Sequence, residues 1–224
     1  MIPWEKLGEA PVPGSDLALT LHRRDREFSL RVGGVELMNS RMHGSEEALA
    51  ELALAGRGFS GRPHILIGGL GLGFTVRAAL EHLPGSASVT VAELVPAVHS
   101  WNRLHLGHLA GHPLDDPRVT VREGDVADLI KRPPTRFDVV LLDVDNGPEG
   151  TTSDGNEWLY SSAGAAAVAS ALNPEGVLAV WSSFPSPAYV RRLQAADFRV
   201  REHMVRARGK RAGRHFIWLA SHPG

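Results

Sequence analysis

The stretch that decides the fold is HILIGGLGLGFTVRAAL, residues 64–80. It runs from an apolar segment through a glycine-rich turn into a helical pattern, which predicts a buried strand, a tight turn and a helix. Gly69, Gly71 and Gly73 are spaced so that the backbone can approach a ligand closely, and the helix that follows offers free N–H groups. The alternative is a tight turn that serves packing alone. Because the backbone can approach closely and free N–H groups follow, the turn is the first place to look for a ligand.

Two common ligand classes do not fit this turn. Phe74 stands where the dinucleotide fingerprint GxGxxG has its third glycine, and no Gly-Lys-Ser/Thr follows for a P-loop. The pattern therefore disfavours nicotinamide dinucleotides and nucleoside triphosphates.

Beyond the turn, apolar strand-like runs alternate with helical stretches. This alternation predicts an open α/β fold whose mostly parallel sheet is covered by helices on both faces. Two final strand candidates have no helix between them and should form an antiparallel hairpin at one edge. The predicted strands are 65–68, 89–94, 119–123, 138–144, 176–183, 198–205 and 215–221, and the predicted helices are 73–83, 95–104, 125–131, 157–172 and 187–195.

The residues before the turn predict a small antiparallel appendage and a leading helix. Strand-like runs at 17–21, 28–32 and 35–38 suggest an N-terminal β extension over residues 1–44. A helix should open at Ser45 as its N-cap, and residues 45–224 then form the main α/β domain.

Composition excludes several function classes. The 224 residues carry 24 basic and 25 acidic side chains, so no overall charge draws the chain to nucleic acid or to a membrane surface. The absence of cysteine removes thiolate chemistry and cysteine-based metal sites. No apolar run approaches the roughly 20 residues of a membrane span, and the first residues lack a signal-peptide pattern, so we expect a cytoplasmic protein.

Carboxylates follow the second and third predicted strands. Glu93 is placed to accept hydrogen bonds from the two hydroxyls of a ribose, although a single acid at a strand end is often unrelated to ligands. Asp125 could accept from the exocyclic amine of adenine, with the Gly124 backbone reading the ring edge, or it could cap the next helix. Both interpretations of Asp125 stay open.

The fourth strand ends in the acidic segment LLDVDNGPEG, residues 141–150. Asp143 and Asp145 at a cleft could hold a cationic amine or take its proton as it attacks an electrophile. The alternative is a turn that caps a helix. We favour a functional role for Asp143 and leave both roles open for Asp145.

The motifs GGLGLG, VAEL, EGD, LLDVDNGP and NPEGVLAV, in this order, resemble those of the spermidine synthase family of polyamine aminopropyltransferases. The similarity runs from about residue 16 to residue 220. It implies the seven-stranded Rossmann-like fold of class I S-adenosylmethionine-dependent methyltransferases.

The resemblance implies a role for each matching position. Glu93 would bind the donor ribose and Asp125 the adenine amine, while Asp143 would receive the attacking amine and act as its base. The sulfonium side of the donor would lie against Gly68, Gly69 and Gly71.

Four departures from the family pattern concern mainly the acceptor side and the donor tail. Gly71 stands where the family has an aspartate that contacts the aminopropyl group, and Leu94-Val95 follow Glu93 where the family has Ile-Asp. The acidic loop after Asp143 is shortened. At the family's Tyr-His-Glu or Tyr-Gln-Glu segment this chain has Ser45-Glu46-Glu47, which makes Glu46 a candidate for acceptor binding.

Two activities follow from the resemblance, and a third hypothesis needs no catalysis. The first is aminopropyl transfer from decarboxylated S-adenosylmethionine to a small amine such as putrescine. The second is methyl transfer from S-adenosylmethionine to a small acceptor, and the third is nucleoside binding alone. We expect no metal, no nucleic acid and no membrane partner, and a homo-oligomer because family members often form one.

Two further clusters carry weaker signals. Four histidines between His99 and His112 suggest a metal site, but glycines interrupt any helix that would align them. The basic run 206–215 could touch RNA phosphates, although a solvated hairpin loop is the simpler interpretation.

Overall fold

A four-stranded antiparallel sheet forms the N-terminal part of the computed structural model, which describes residues 2–144, 147–148, 157–206 and 213–222. The three predicted strands are present, and a fourth strand precedes them. That first strand has the sequence EKLGEAP and a bulge between Lys6 and Gly8, so it lacks the alternation that identifies strands. The strands are β1 (Glu5–Pro11), β2 (Ala18–Arg24), β3 (Glu27–Val32) and β4 (Val35–Asn39).

A seven-stranded sheet forms the main domain, as predicted. Its strands are β5 (His64–Gly68), β6 (Ser88–Glu93), β7 (Val119–Glu123), β8 (Phe137–Leu142), β9 (Leu172–Ser182), β10 (Arg199–Arg206) and β11 (Arg214–Ser221). The order is β10-β11-β9-β8-β5-β6-β7; β5 to β9 are parallel, and β11 is antiparallel to both of its neighbours. The edge hairpin is therefore confirmed.

Helices cover both faces of this sheet. On β5, Ile65 and Ile67 belong to one core and Leu66 to the other, which explains why the strand is apolar throughout. No helix in the described part of the chain is long and apolar enough to cross a membrane. The helices are α1 (Gly44–Leu54), α2 (Phe74–His82), α3 (Pro96–Trp101), α4 (Val126–Lys131), α5 (Ser162–Ala171) and α6 (Pro187–Ala195).

Three predicted helix boundaries were wrong. Ser45 does not cap α1. It is fully buried in the first turn, where its hydroxyl forms hydrogen bonds with Glu46 and His215 instead. The helix predicted over 157–172 begins only at Ser162, because Ser161 caps it by accepting from the Gly164 N–H. The helix predicted over 95–104 changes after α3 into a π-helix, Asn102–Leu106.

The strand order reverses between β5 and β8. From β5 the chain continues to β6 and β7 on one side, whereas β8 and β9 lie on the other side. In open parallel sheets a ligand crevice forms beyond the carboxyl ends of the strands at such a point. The glycine turn after β5 lies at this crevice.

Gly8 docks the small sheet against the main domain through Trp101. An added Cβ would lie 2.6 Å from the indole Nε1 of Trp101, a buried side chain of α3. We expect Gly8→Ala to lower the free energy of unfolding by about 1–3 kcal/mol through overpacking. Gly58→Ala, at an exposed glycine with nothing within 4 Å, is the matched control for denaturant unfolding. Equal stability of the two variants would contradict this docking contact.

Candidate functional site

A cavity of about 440 Å³ lies at the carboxyl ends of the central strands and is bounded on the opposite side by the small sheet. The small sheet contributes apolar side chains, among them Leu19, Leu30, Val32, Leu37 and Met38. The described lining residues include no lysine and no arginine. Its carboxylates are Glu36, Glu46, Glu93, Asp125 and Asp143.

The glycine turn forms one wall, and two of its positions require glycine. Gly69 has a φ of +89° and an added Cβ would collide with the backbone carbonyl of Asp143. Gly71 has a φ of +49° and an added Cβ would lie 2.7 Å from Met38 Sδ. The thioether of Met38 thus packs against the position where the family pattern has an aspartate.

Gly68 does not line the cavity, so the structure does not bring it to the predicted donor site. It ends β5, and an added Cβ would meet Val126 Cγ2 at 3.0 Å and Leu142 Cδ2 at 3.1 Å. The position faces the core, and glycine there serves close packing.

Asn102 holds the glycine turn in place, which the sequence analysis missed. Its side-chain amide donates to the carbonyl oxygens of Gly71 at 2.8 Å and Val98 at 2.9 Å. Asn102 is also the first residue of the π-helix, a distortion that is frequent at functional sites. A lone asparagine within a helical pattern carries no signal of this contact.

Glu93 is buried at the end of β6 and joins two turns. Its Oε2 accepts from the Leu70 N–H and its Oε1 from the Val95 N–H, both at 2.9 Å. Burial raises the pKa of Glu93, and these backbone N–H groups act in the opposite direction. The backbone N–H groups that stabilise the Glu93 carboxylate belong to the glycine turn and to the turn after β6, so Glu93 ties these two turns together at the cavity.

Asp125 caps α4, which confirms one of the two interpretations left open. Its Oδ1 accepts from the Ala127 N–H at 2.8 Å. The residue also lines the cavity beside Gly124, whose φ is +143°. Capping uses one carboxylate oxygen, so it does not compete with ligand binding at the other.

Asp143 and Glu46 form an acidic pair at the cavity wall. Thr75 Oγ1 donates to Asp143 Oδ2 at 2.5 Å. Burial raises the pKa of Asp143 to about 6, despite the Thr75 hydrogen bond. Burial, and then the Asp143 charge, raise the pKa of Glu46 to about 7. The pair can therefore take up a proton near neutral pH.

A hydrogen-bonded chain leads from Glu46 to His215, and the sequence analysis missed it. Ser45 Oγ donates to Glu46 Oε2 at 2.6 Å and lies 2.8 Å from His215 Nδ1. Burial lowers the pKa of His215, and its ring makes a T-shaped contact with Trp181 with 4.7 Å between ring centroids. The sequence places His215 at the start of the predicted strand 215–221 and at the end of the basic run, but neither pattern indicates a contact with Ser45.

The histidine cluster does not line the cavity. Asp145 falls outside the described residues. In the described segments no group of three histidine, cysteine, aspartate or glutamate side chains is arranged to hold a metal, and His99 bonds the exposed Glu123 instead. Trp181 lines the cavity, whereas Trp158 lies outside it with the Lys131 ammonium over its ring.

The strand order, the glycine turn after β5 and the acid at the end of β6 define the class of protein: a Rossmann-like domain with the class I methyltransferase fold. Within this class, the model of the spermine/spermidine synthase domain matches residues 42–190, two thirds of the chain. The chain therefore belongs to the spermine/spermidine synthase family.

One curated relative is similar in sequence. It is a polyamine aminopropyltransferase of Bacillus subtilis (strain 168), 29% identical over 122 residues that make up 54% of this chain. The match covers 42% of that relative, so this chain spans less than half the length of the curated protein it matches.

Solved spermidine synthases share the fold. A spermidine synthase in complex with the transition-state analogue AdoDATO superposes with a TM-score of 0.77 at 19% identity, over 97% of this chain and 74% of that one. The spermidine synthase of Thermotoga maritima gives 0.74 at 19% identity, over 97% and 72%. A probable spermidine synthase of Corynebacterium glutamicum ATCC 13032 gives 0.66 at 15% identity, over 96% and 79%.

Proposed function

We propose that this chain transfers an aminopropyl group from decarboxylated S-adenosylmethionine to a small amine such as putrescine. The observation that carries the proposal is the charge of the cavity, whose described walls hold five carboxylates and no lysine or arginine. Such a site favours cationic ligands, and a sulfonium donor with an ammonium tail and an amine acceptor are both cationic. The methionine carboxylate of the undecarboxylated donor would lack a cationic partner there.

The cavity residues divide into a donor side and an acceptor side. Glu93 would accept from the ribose hydroxyls, Asp125 from the adenine amine, and the backbone at Gly69 and Gly71 would pass close to the sulfonium. Asp143 would hold the attacking nitrogen and accept its proton, while in-line placement of nitrogen, carbon and sulfur supplies much of the rate.

Known relatives support the same activity. The curated relative is named as a polyamine aminopropyltransferase, and one structural neighbour was solved with a transition-state analogue of its reaction. Family membership carries this comparison to residues 42–190 of the present chain.

Methyl transfer is the alternative, and one observation favours it. Gly71 and Met38 leave the tail position without the carboxylate that would repel the carboxylate of S-adenosylmethionine. The acidic pair of Glu46 and Asp143 at the same cavity weighs against it.

Donor selection tests the proposal. We expect calorimetry to show that decarboxylated S-adenosylmethionine binds at least tenfold more tightly than S-adenosylmethionine, a difference of about 1.4 kcal/mol. Glu93→Ala should abolish both binding signals. Tighter binding of S-adenosylmethionine would replace the proposal by methyl transfer, and no binding of either would refute the donor assignment.

Three broader expectations accompany this proposal. We propose that residues 1–44 form the β extension and 45–224 the transferase domain. A cytoplasmic location and a homo-oligomeric state stay predictions.

A further inference from the structure

We propose that His215, acting through Ser45, is a positioning residue that holds Glu46 ionised, so that Glu46 takes the proton of the acceptor amine beside Asp143. The inference rests on the proposed aminopropyl transfer. It gives a role to two residues outside the family's motifs. Ser45 is part of the departure from the family pattern at the first helix, and His215 lies on the last strand.

The direction of the hydrogen bonds follows from counting protons. The Ser45 hydroxyl has one proton and donates it to Glu46 Oε2 at 2.6 Å. Its contact with His215 Nδ1 at 2.8 Å must then be one in which the hydroxyl accepts. His215 therefore carries its proton on Nδ1, and the chain runs from His215 through Ser45 to Glu46.

The hydrogen bond donated by Ser45 matters because other groups around Glu46 disfavour its ionised form. Asp143 at the end of β8 and Glu47 on α1 both disfavour a negative charge on Glu46, and so does burial. Arg77 of α2 bonds Glu47 and Glu81. The Ser45 hydroxyl and the backbone N–H of Glu46 itself act in the other direction and lower the pKa of Glu46.

The reaction step balances with Glu46 as the first proton acceptor. An N–H proton of the acceptor ammonium passes to the Glu46 carboxylate, and the freed lone pair attacks the methylene carbon bound to the sulfonium. The C–N bond forms as the C–S bond breaks, and the electron pair of that bond stays on sulfur as a neutral thioether. Bond formation leaves the nitrogen as a positively charged secondary ammonium, which then gives a second proton to Asp143. Both carboxyl groups later release their protons to solvent.

Four variants test this arrangement by the pH dependence of kcat/KM. Ser45→Ala and His215→Leu should lower kcat/KM about tenfold at pH 7 and shift its acidic limb upward by about one pH unit, because the ionised carboxylate loses support. His215→Asn should stay within about threefold of the wild type, since an amide N–H can donate where Nδ1 does. His99→Leu, at a histidine outside the cavity, is the matched control.

Two results would overturn the proposal: an unshifted acidic limb in Ser45→Ala and His215→Leu, or a His215→Asn variant as impaired as His215→Leu. Melting temperature and donor calorimetry on each variant separate these effects from misfolding.

A second readout does not depend on activity. In protein labelled with ¹³C at glutamate carboxyl carbons, Glu46→Gln identifies the Glu46 resonance. Its titration midpoint should rise in Ser45→Ala and His215→Leu, and an unchanged midpoint would refute the inference. If the wild type transfers no aminopropyl group, this titration still decides the hydrogen-bonded chain while the proposed function fails separately.

Discussion

Asp143→Asn is expected to reduce kcat by about 10²- to 10⁴-fold, the usual contribution of a positioned general base. The amide keeps the shape of the side chain and can still accept from Thr75 Oγ1. It cannot take a proton from the amine, and its NH₂ group opposes the N–H groups of the acceptor. Rapid-quench turnover at saturating donor and amine measures the loss, and calorimetry should show that donor affinity changes little.

The same substitution should stabilise the protein at high pH. Burial raises the pKa of Asp143 in the folded state to about 6, above its usual value of 3.8. The folded state therefore binds this proton more tightly, so the wild type loses stability as pH rises through that range. The melting temperature of Asp143→Asn should exceed that of the wild type at pH 8, and the gap should close toward pH 4.

Asp138→Asn is the matched control on the same strand. Asp138 lies at the opposite end of β8 and accepts from the His64 N–H and from Asn173 Nδ2. Its substitution should lower stability and leave turnover largely intact. Full turnover in Asp143→Asn would remove this carboxylate from the mechanism.

The cavity wall formed by the glycine turn and Glu93 was largely predictable because its residues occupy fixed places along the chain. A glycine turn follows the first parallel strand and Glu93 ends the next one, and the carboxyl ends of parallel strands meet at one edge. Gly68 was expected at the cavity but does not line it, for a local reason. Adjacent residues at a strand end face opposite ways, and sequence spacing does not say which of Gly68 and Gly69 faces the cavity.

The cavity wall that holds Glu46 was less predictable because its contacts join distant segments. Ser45 and His215 are 170 positions apart, and neither shows a pattern that points to the other. Ser45 before two glutamates looks like a helix cap, and only the packing of α1 against β11 turns its hydroxyl toward His215. The contact of Met38 was equally hard to predict. The bulge on β4 and the left-handed conformation of Gly71 together place its sulfur at the turn.

Glu93→Gln is expected to weaken binding of decarboxylated S-adenosylmethionine at least 100-fold, about 2.7 kcal/mol. The two carboxylate oxygens accept from the Leu70 and Val95 N–H groups, but the amide has only one oxygen, so one buried N–H would face an NH₂ group. The glycine turn and the turn after β6 would then separate, and the ribose would lose an acceptor. Glu123→Gln is the control, because Glu123 pairs with Glu93 in register on β7 but is exposed outside the cavity. If both variants bind the donor equally well by calorimetry, Glu93 neither holds the turn nor receives the ribose.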